Sequence, residues 1–458
     1  MKEVLAGPLM GSGIKIGGVA IGGPSGRGDE EAQAEDQWGL REVGFLPKSD
    51  PNSAWNIIDG QGGPNTLVAV IDSGFDMTHP DGPQYIWTNE AEIPGNKRDD
   101  DGNGLIDDIN GWNFLNNNTD LSDYRGHGTF VAGIIAAKAN NGIGIAGIDP
   151  GAVILPLKVA DAEGRTDSFH IFQAINYAVN KGARVLNISL GNREVSKLEQ
   201  AAINHARNNG VFVTVAAGNL NEDIGKHGPA SSLGAFAVGA MDMSGEKSTI
   251  SNWGANNGLI APGEAILSLR SKESFDPKKV SKDTEFYYAQ SGTSFSTPIV
   301  AATASLLLAK DPNLTNTQIE DILHRSADDR HAKGWDYESG AGVLNATAAL
   351  KQEQKVPVTV KVNQLRTNRD KNGKLESVDV FGTVRGDFQE YAIGVGKGAN
   401  AGSFKEVAGP FKETAENAWI TTIGKEHLRG SDDWLIQIDA KDAQGQSRTA
   451  RSILRLNK

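Results

Sequence analysis

The sequence predicts an α/β chain, a doubly wound and mostly parallel sheet followed by a small all-β sandwich. Three observations predict it. Short continuous apolar runs recur over the first 350 residues, each separated from the next by a stretch of helical periodicity. Such runs read as strands buried on both faces, and parallel sheets are built of these. From about residue 352 the helical stretches stop, and short strands divided by turns take over.

The chain has 458 residues, enough for two or three domains with ample core. Hydrophobic residues make up 38% and charged residues 22%, the balance of a soluble globular protein. A net charge of −12 argues against a nucleic-acid surface. The absence of cysteine excludes disulfides, zinc-thiolate sites and a thiol nucleophile. No apolar run approaches the length of a membrane span. Residues 1–36 are rich in Gly, Glu and Ala without periodicity and read as a flexible N-terminal arm. Lys15 and the glycines around it leave no clear apolar core for a signal peptide.

Order is expected from Gln37 onward, with a short helix at 53–58. Leu67-Val68-Ala69-Val70-Ile71-Asp72 is a buried strand ending in Asp72-Ser73-Gly74. An acid at the carboxyl end of a buried strand lies where open α/β sheets hold their chemistry, although aspartate also caps turns. The loop from Asp99 to Asp108 sets Asp99, Asp101, Asn103 and Asp107 at positions one, three, five and nine, with Gly104 at six and the Leu105 carbonyl at seven. That spacing resembles a Ca²⁺-binding loop of hard oxygen ligands, with Asp108 as a further candidate. Without a cation these aspartates repel one another; the alternative is a solvated acidic loop.

Arg125-Gly126-His127-Gly128-Thr129 is a turn into an apolar helix with His127 at its entrance. The other seven histidines lack comparable surroundings. Gly142 to Gly147 spells GxGxxG, but it follows a helix and leads into the strand 153–159, the reverse of a dinucleotide site. Helices at 168–181 and 195–209 alternate with strands at 184–189 and 211–219, the latter ending on Asn219; a strand at 235–240 follows. Gly292 then delivers Ser294 to the mouth of an alanine-rich helix, whose first turn offers unpaired N–H groups and the positive end of the dipole. Taken alone, Ser294 reads as a helix cap more readily than as a nucleophile. Thr315 and Gln318 form a capping box for a helix at 316–326, and a last helix runs over 345–351. Strands at 356–362, 377–384, 390–395, 418–423, 434–438 and 447–456 complete a sandwich of immunoglobulin or fibronectin type over 352–458.

Asp72, His127, Asn219 and Ser294 share a pattern: two end buried runs and two open helices, so a doubly wound sheet would bring them to one edge. Their order, Asp then His then Ser, is that of the subtilisin triad. From about Gln37 to Leu350 the chain resembles the subtilisin-like serine proteases, the subtilases. The resemblance rests on Asp72-Ser73-Gly74 with His79-Pro80-Asp81, on His127-Gly128-Thr129, Ser189-Leu190-Gly191 and Ala216-Ala217-Gly218-Asn219, and on Gly292-Thr293-Ser294-Phe295-Ser296-Thr297-Pro298.

The resemblance implies a catalytic domain at 37–351 and a calcium-dependent serine endopeptidase, monomeric, secreted or held at the cell envelope, acting on polypeptides. It implies Ser294 as nucleophile, His127 as base, Asp72 as the acid that orients it, and Asn219 as oxyanion donor. Ser189, Leu190 and Gly191, with Ala217 and Gly218, would bind substrate. A second calcium site is implied at Asp81 and Asn141 with the carbonyls of Ala139, Ile143 and Ile145. The aspartate-rich loop lengthens the usual separation of Asp72 and His127, and Gly228-Pro229-Ala230 stands where many relatives carry Tyr-Pro-Ala, leaving the preferred P1 residue open. No segment before Gln37 suits a folding prodomain. The competing implication is a silent peptide-binding or adhesion protein on the same scaffold.

Overall fold

The structure is a computed structural model and describes residues 37–456, apart from 48, 59–63, 279–284, 331–333, 353–357, 387, 399–400 and 443–446. The arm expected over 1–36 lies outside the described residues. The chain divides into two compact units, 1–352 and 353–458.

The first unit is built on a sheet of eight strands. These are β1 (Leu67–Asp72), β2 (Tyr85–Ile86), β3 (Trp112–Asn113), β4 (Val153–Lys158), β5 (Val185–Ile188), β6 (Phe212–Ala216), β7 (Phe236–Met241) and β8 (Asn257–Pro262). Their order is β2-β4-β1-β5-β6-β7-β8, with β3 also on β4, and every pairing is parallel. The continuous run of β1 has a two-sided explanation. Val68 and Val70 face one core, formed with α1 (His127–Ala136) and α2 (Thr293–Lys310). Ala69 and Ile71 face the other, formed with α3 (Ser168–Asn180) and α4 (Lys197–Asn208). Successive side chains of a strand point to opposite faces, so both must be apolar when helices cover both. Strand β8 and the antiparallel pair β9 (Ile266–Leu269) and β10 (Tyr287–Gln290) add to the expected elements, and the short helix at 53–58 is a 3₁₀ turn, Ala54–Ile57.

Helix α2 is apolar on every side because it runs through the middle of the unit, with only its last two residues less than buried. Pro298 lies inside it and lacks the N–H that would reach the Ser294 carbonyl. The Ser189 hydroxyl donates to that carbonyl instead, at 2.8 Å. The gap in the helix thereby fastens the segment after β5 to the start of α2.

The second unit holds two antiparallel sheets. One has β11 (Thr359–Arg369), β12 (Leu375–Arg385) and β15 (Ala415–Gly424); the other has β14 (Lys405–Phe411), β13 (Phe388–Lys397), β16 (Asp433–Asp442) and β17 (Ser447–Arg455). Val378, Val380, Ile393, Ile436 and Ile438 form its core. Strand β14 was not expected. It is an edge strand with Gly409-Pro410 in its run, it is largely exposed, and it pairs with β13 through two register shifts, so it carries little alternation.

Candidate active site

At the carboxyl edge of the sheet Asp72 meets His127, and Asn219 meets the first turn of α2, which carries Ser294. Asp72 closes β1, and His127 is the first residue of α1. The His127 Nδ1 lies 2.8 Å from Asp72 Oδ1, and both side chains are buried. The Ser73 N–H also donates to Asp72 Oδ1, at 2.7 Å. Gly128 makes the approach possible, since a Cβ there would lie 2.2 Å from the Gly74 carbonyl oxygen and 3.1 Å from the Asp72 Cβ.

Ser294 is the second residue of α2 and 4% exposed. Its hydroxyl donates to the Ser189 carbonyl at 3.1 Å rather than to the imidazole. Its own N–H falls in the helical turn that has no internal acceptor. The Asn219 amide oxygen accepts from the Thr293 N–H at 2.8 Å and from the Thr293 hydroxyl at 3.0 Å. That fixes the amide at the mouth of the helix, with Nδ2 beside Gly292. Gly218 is tied to the same threonine, its N–H donating to Thr293 Oγ1, and the Ala217 carbonyl accepts from Asn252. Leu190 and Gly191 continue from Ser189, and the next residue, Asn192, exchanges two backbone hydrogen bonds with Gly228.

Asp123 was missed in the sequence, where it looks like one more turn aspartate. It is fully buried and accepts from Ser73 Oγ, the Gly126 N–H, the Thr129 N–H and Thr129 Oγ1, all at 2.7–2.9 Å. Burial pushes its carboxyl above the usual range against these bonds, and the nearby Asp72 adds to the rise. The Ser73 hydroxyl accepts in turn from the Gly128 N–H, so Asp123 braces the start of α1 against the end of β1.

The aspartate-rich loop folds around its own carboxylates. Asp99 accepts from the N–H groups of Asn103 and Gly104, Asp101 accepts from Asn103, and Asn103 Oδ1 accepts from Leu105. Glu92, which no local spacing marks, is buried and joins from upstream, accepting from the N–H groups of Asp100 and Asp101. One oxygen each of Glu92, Asp99 and Asp101 lie within 4.8 Å of one another. Oxygens that share a Ca²⁺ at 2.3–2.6 Å can stand up to about 5 Å apart, so the donor set fits this ion. Asp107 lies outside that group and has a buried Oδ1 with no hydrogen-bond partner.

Asp108 faces the other way, toward Asn89, Asn103, the Tyr177 hydroxyl and, at 3.5 Å, Lys181 Nζ. The same ammonium lies 2.7 Å from Asp101. Partial burial would raise the Asp101 carboxyl, but the Lys181 bond, aided by Asn89, holds it down at about 2. At the other loop, Asn141 Nδ2 donates to Asp81 Oδ1 at 2.6 Å and the Ile145 N–H to Asp81 Oδ2 at 2.9 Å, while the Ile143 N–H donates to Asn141 Oδ1. Both Asp81 oxygens thus accept from protein N–H groups; Ala139 makes no side-chain contribution. Gln37 anchors this loop by bonding both the N–H and the carbonyl of Ala146.

Glu199, in the first turn of α4, is 0% exposed. Ser168 donates to its Oε1 at 2.8 Å and Asn192 at a long 3.5 Å, while Oε2 has no partner. Burial pushes the carboxyl up to about 7, only partly opposed by those two bonds. A raised acid stabilises the fold below its unfolded value near 4.5, and that contribution is lost as pH rises through about 7. Glu199→Gln is therefore expected to match the parent at pH 4 and to exceed it at pH 9, by on the order of 3 kcal/mol, in thermal or urea unfolding. Equal gains at both pH values would contradict this.

A doubly wound parallel sheet with carboxylate, imidazole and helix-mouth hydroxyl at its carboxyl edge is the architecture of an α/β hydrolytic enzyme. The model of the Subtilase family matches residues 63–342. The chain belongs to this family, the subtilisin-like serine proteases. It is 34% identical over 328 residues to the cell wall-associated protease of Bacillus subtilis, covering 67% of this chain and 33% of that protein. It thus spans a third of that relative's length. It is 34% identical to Subtilisin BL of Lederbergia lenta, over 64% of this chain and 93% of that one. Among solved structures it is similar to a lanthipeptide protease, with a TM-score of 0.56 and 27% identity over 69% of this chain and 95% of the other.

Proposed function

We propose that the protein is a calcium-stabilised serine endopeptidase working through Asp72, His127 and Ser294, with residues 37–351 as its catalytic domain and 352–458 as a separate β domain. The observation that carries the reading is the buried 2.8 Å contact between His127 Nδ1 and Asp72 Oδ1 at the edge where Ser294 opens α2. Held so, the imidazole keeps its other nitrogen, Nε2, for the nucleophile. The Ser294 hydroxyl turns from the Ser189 carbonyl toward it when substrate binds; catalytic hydrogen bonds often tighten only then. Ser294 Oγ bonds to the scissile carbonyl carbon as His127 takes its proton. The C–N bond breaks, and His127 gives the proton to the leaving amine. Water, deprotonated by His127, then splits the ester and restores Ser294.

Asn219 Nδ2 and the Ser294 N–H would share the oxyanion. Asn219→Ala is expected to lower kcat about 10²–10³-fold with KM little changed, the loss seen when a subtilisin oxyanion asparagine is removed. Polypeptide substrates would lie extended along Ser189–Gly191 by strand addition. Hydrolysis of an unfolded protein, with fragments identified by mass, tests the reading; a folded preparation that releases no fragments would remove it.

Calcium, when bound, neutralises clustered charge and cross-links the loop; it supplies no chemical step. Glu92, Asp99 and Asp101 would hold it, with Asn103, Asp107 and the Leu105 carbonyl as the further candidates of the loop, while Asp108 is engaged with Tyr177 and Lys181. EDTA is expected to lower the unfolding midpoint by several degrees, since a ligand at a hundred times its Kd contributes about 2.7 kcal/mol. An unchanged midpoint would remove the ion. No helix among the described residues is long and apolar enough to cross a membrane. A secreted or envelope location is the setting in which such an ion is abundant, and we propose it together with a monomeric state.

A further inference from the structure

His127 is the first residue of α1, at the positive end of the helix dipole. The reaction asks this imidazole to become a cation when it takes the Ser294 proton. A helix N-terminus opposes that charge. Lys158, the last residue of β4, opposes it too. It stands beside Asp72 in the parallel register, is 5% exposed and donates to the Ser122 carbonyl. Among the described residues no carboxylate lies within ion-pairing distance of its ammonium.

Asp123 is the anion set against both. Gly126, the N-cap of α1, has no side chain to cap with, so the first turn is capped from outside. Asp123 Oδ2 accepts from the Thr129 N–H, and Ser73 Oγ accepts from the Gly128 N–H. The directions of the hydrogen bonds show the Asp123 charge. The Gly126 and Thr129 N–H groups can only donate. The Ser73 and Thr129 hydroxyls each accept from a backbone N–H, of Gly128 and Asp76, which leaves their hydrogens for Asp123. Each carboxyl oxygen thus receives two donors. Burial works against the charge, and these four donors favour it.

The other charged groups at this end of α1 have partners of their own. Arg270, just past β9, lies 3.8 Å over the Tyr288 ring of β10. Glu273 accepts from the Ser271 hydroxyl, and Asp76 from the N–H groups of Thr78 and Lys272. Arg125 lies against Gly164 in the turn before α1. Helix α2 brings no titratable side chain before Lys310 at its far end. We propose that Asp123 is a positioning residue of the reaction, whose carboxylate offsets the α1 dipole and Lys158 and so stabilises the His127 imidazolium formed as Ser294 attacks. This rests on the endopeptidase reading and adds a second acid to it. Asp72 orients the imidazole; Asp123 completes a charge balance in which two carboxylates, one ammonium and one imidazolium sum to zero.

The test is the pH profile of kcat and kcat/KM on a chromogenic peptide with no titrating group between pH 4.5 and pH 9. In Asp123→Asn the plateau kcat is expected to fall about tenfold with KM little changed, since a weaker base takes the proton less readily. The acid limb of kcat/KM should move to lower pH by about one unit, because the protonated imidazole has lost its anion. The position of a limb does not depend on the fraction of protein folded. Asp123→Glu keeps the charge and should leave the limb where the wild type has it, whatever it costs in rate. Lys158→Met removes the opposing cation and should move the limb the other way, to higher pH; it carries the test where Asp123→Asn does not fold. A plateau loss in Asp123→Asn with the limb unmoved, or a limb that Lys158→Met leaves in place or lowers, overturns this role of Asp123 alone. No cleavage by the wild type overturns the endopeptidase reading, and this inference with it.

Discussion

Ser294→Ala is expected to lower kcat by about a millionfold, the loss a subtilisin suffers when its triad serine is removed. The reason is local. Ser294 is the second residue of α2, directly after Thr293, which holds the Asn219 amide oxygen. The Thr293 hydroxyl is already engaged with Asn219 and cannot take over. The residual rate should still exceed that in water by about 10³–10⁴-fold, because the oxyanion donors and the peptide-binding edge remain. Steady-state turnover of a chromogenic peptide, on protein freed of trace wild type, measures it. A loss below a hundredfold would mean that another group attacks the carbonyl.

Asp72→Asn is expected to cost about 10⁴-fold in kcat with the fold intact. Asp72 Oδ1 receives both the imidazole Nδ1 and the Ser73 N–H, and Oδ2 is buried without a partner. An asparagine that presents its NH₂ to Nδ1 forces the proton onto Nε2, so the base faces the nucleophile with no lone pair. Substrate binding does not involve Asp72, so KM should hold. An equal loss through KM alone would place Asp72 outside the chemistry.

Much of this was legible in the sequence because burial on both faces writes a strand as an unbroken apolar run. Asp72 and Asn219 interrupt such runs, and His127 and Ser294 follow glycines at the start of apolar helices. What failed to show was whatever depends on distant pairing. Glu92 joins Asp99 and Asp101 only once the loop turns back. Asp108 sits in the same acidic run but is drawn off by Tyr177 and Lys181 on α3 and just beyond it, which local spacing does not register. Asp123 has the look of a turn residue until the Ser73 hydroxyl is seen on it. Glu199 reads as an ordinary first-turn acid, since only the fold sets Gly228 against it. Pro298 is an intermediate case. Its missing N–H signals an unpaired Ser294 carbonyl, but the donor, Ser189, is 105 residues away.

The most direct test of the account is reaction with a fluorophosphonate, which esterifies a serine only where a base and oxyanion donors activate it. Peptide mapping should find one adduct, on Ser294, absent from heat-denatured protein and from His127→Ala. A folded protein that takes up no label, or takes it up on another serine, would contradict the claim that Asp72, His127 and Ser294 act as one centre.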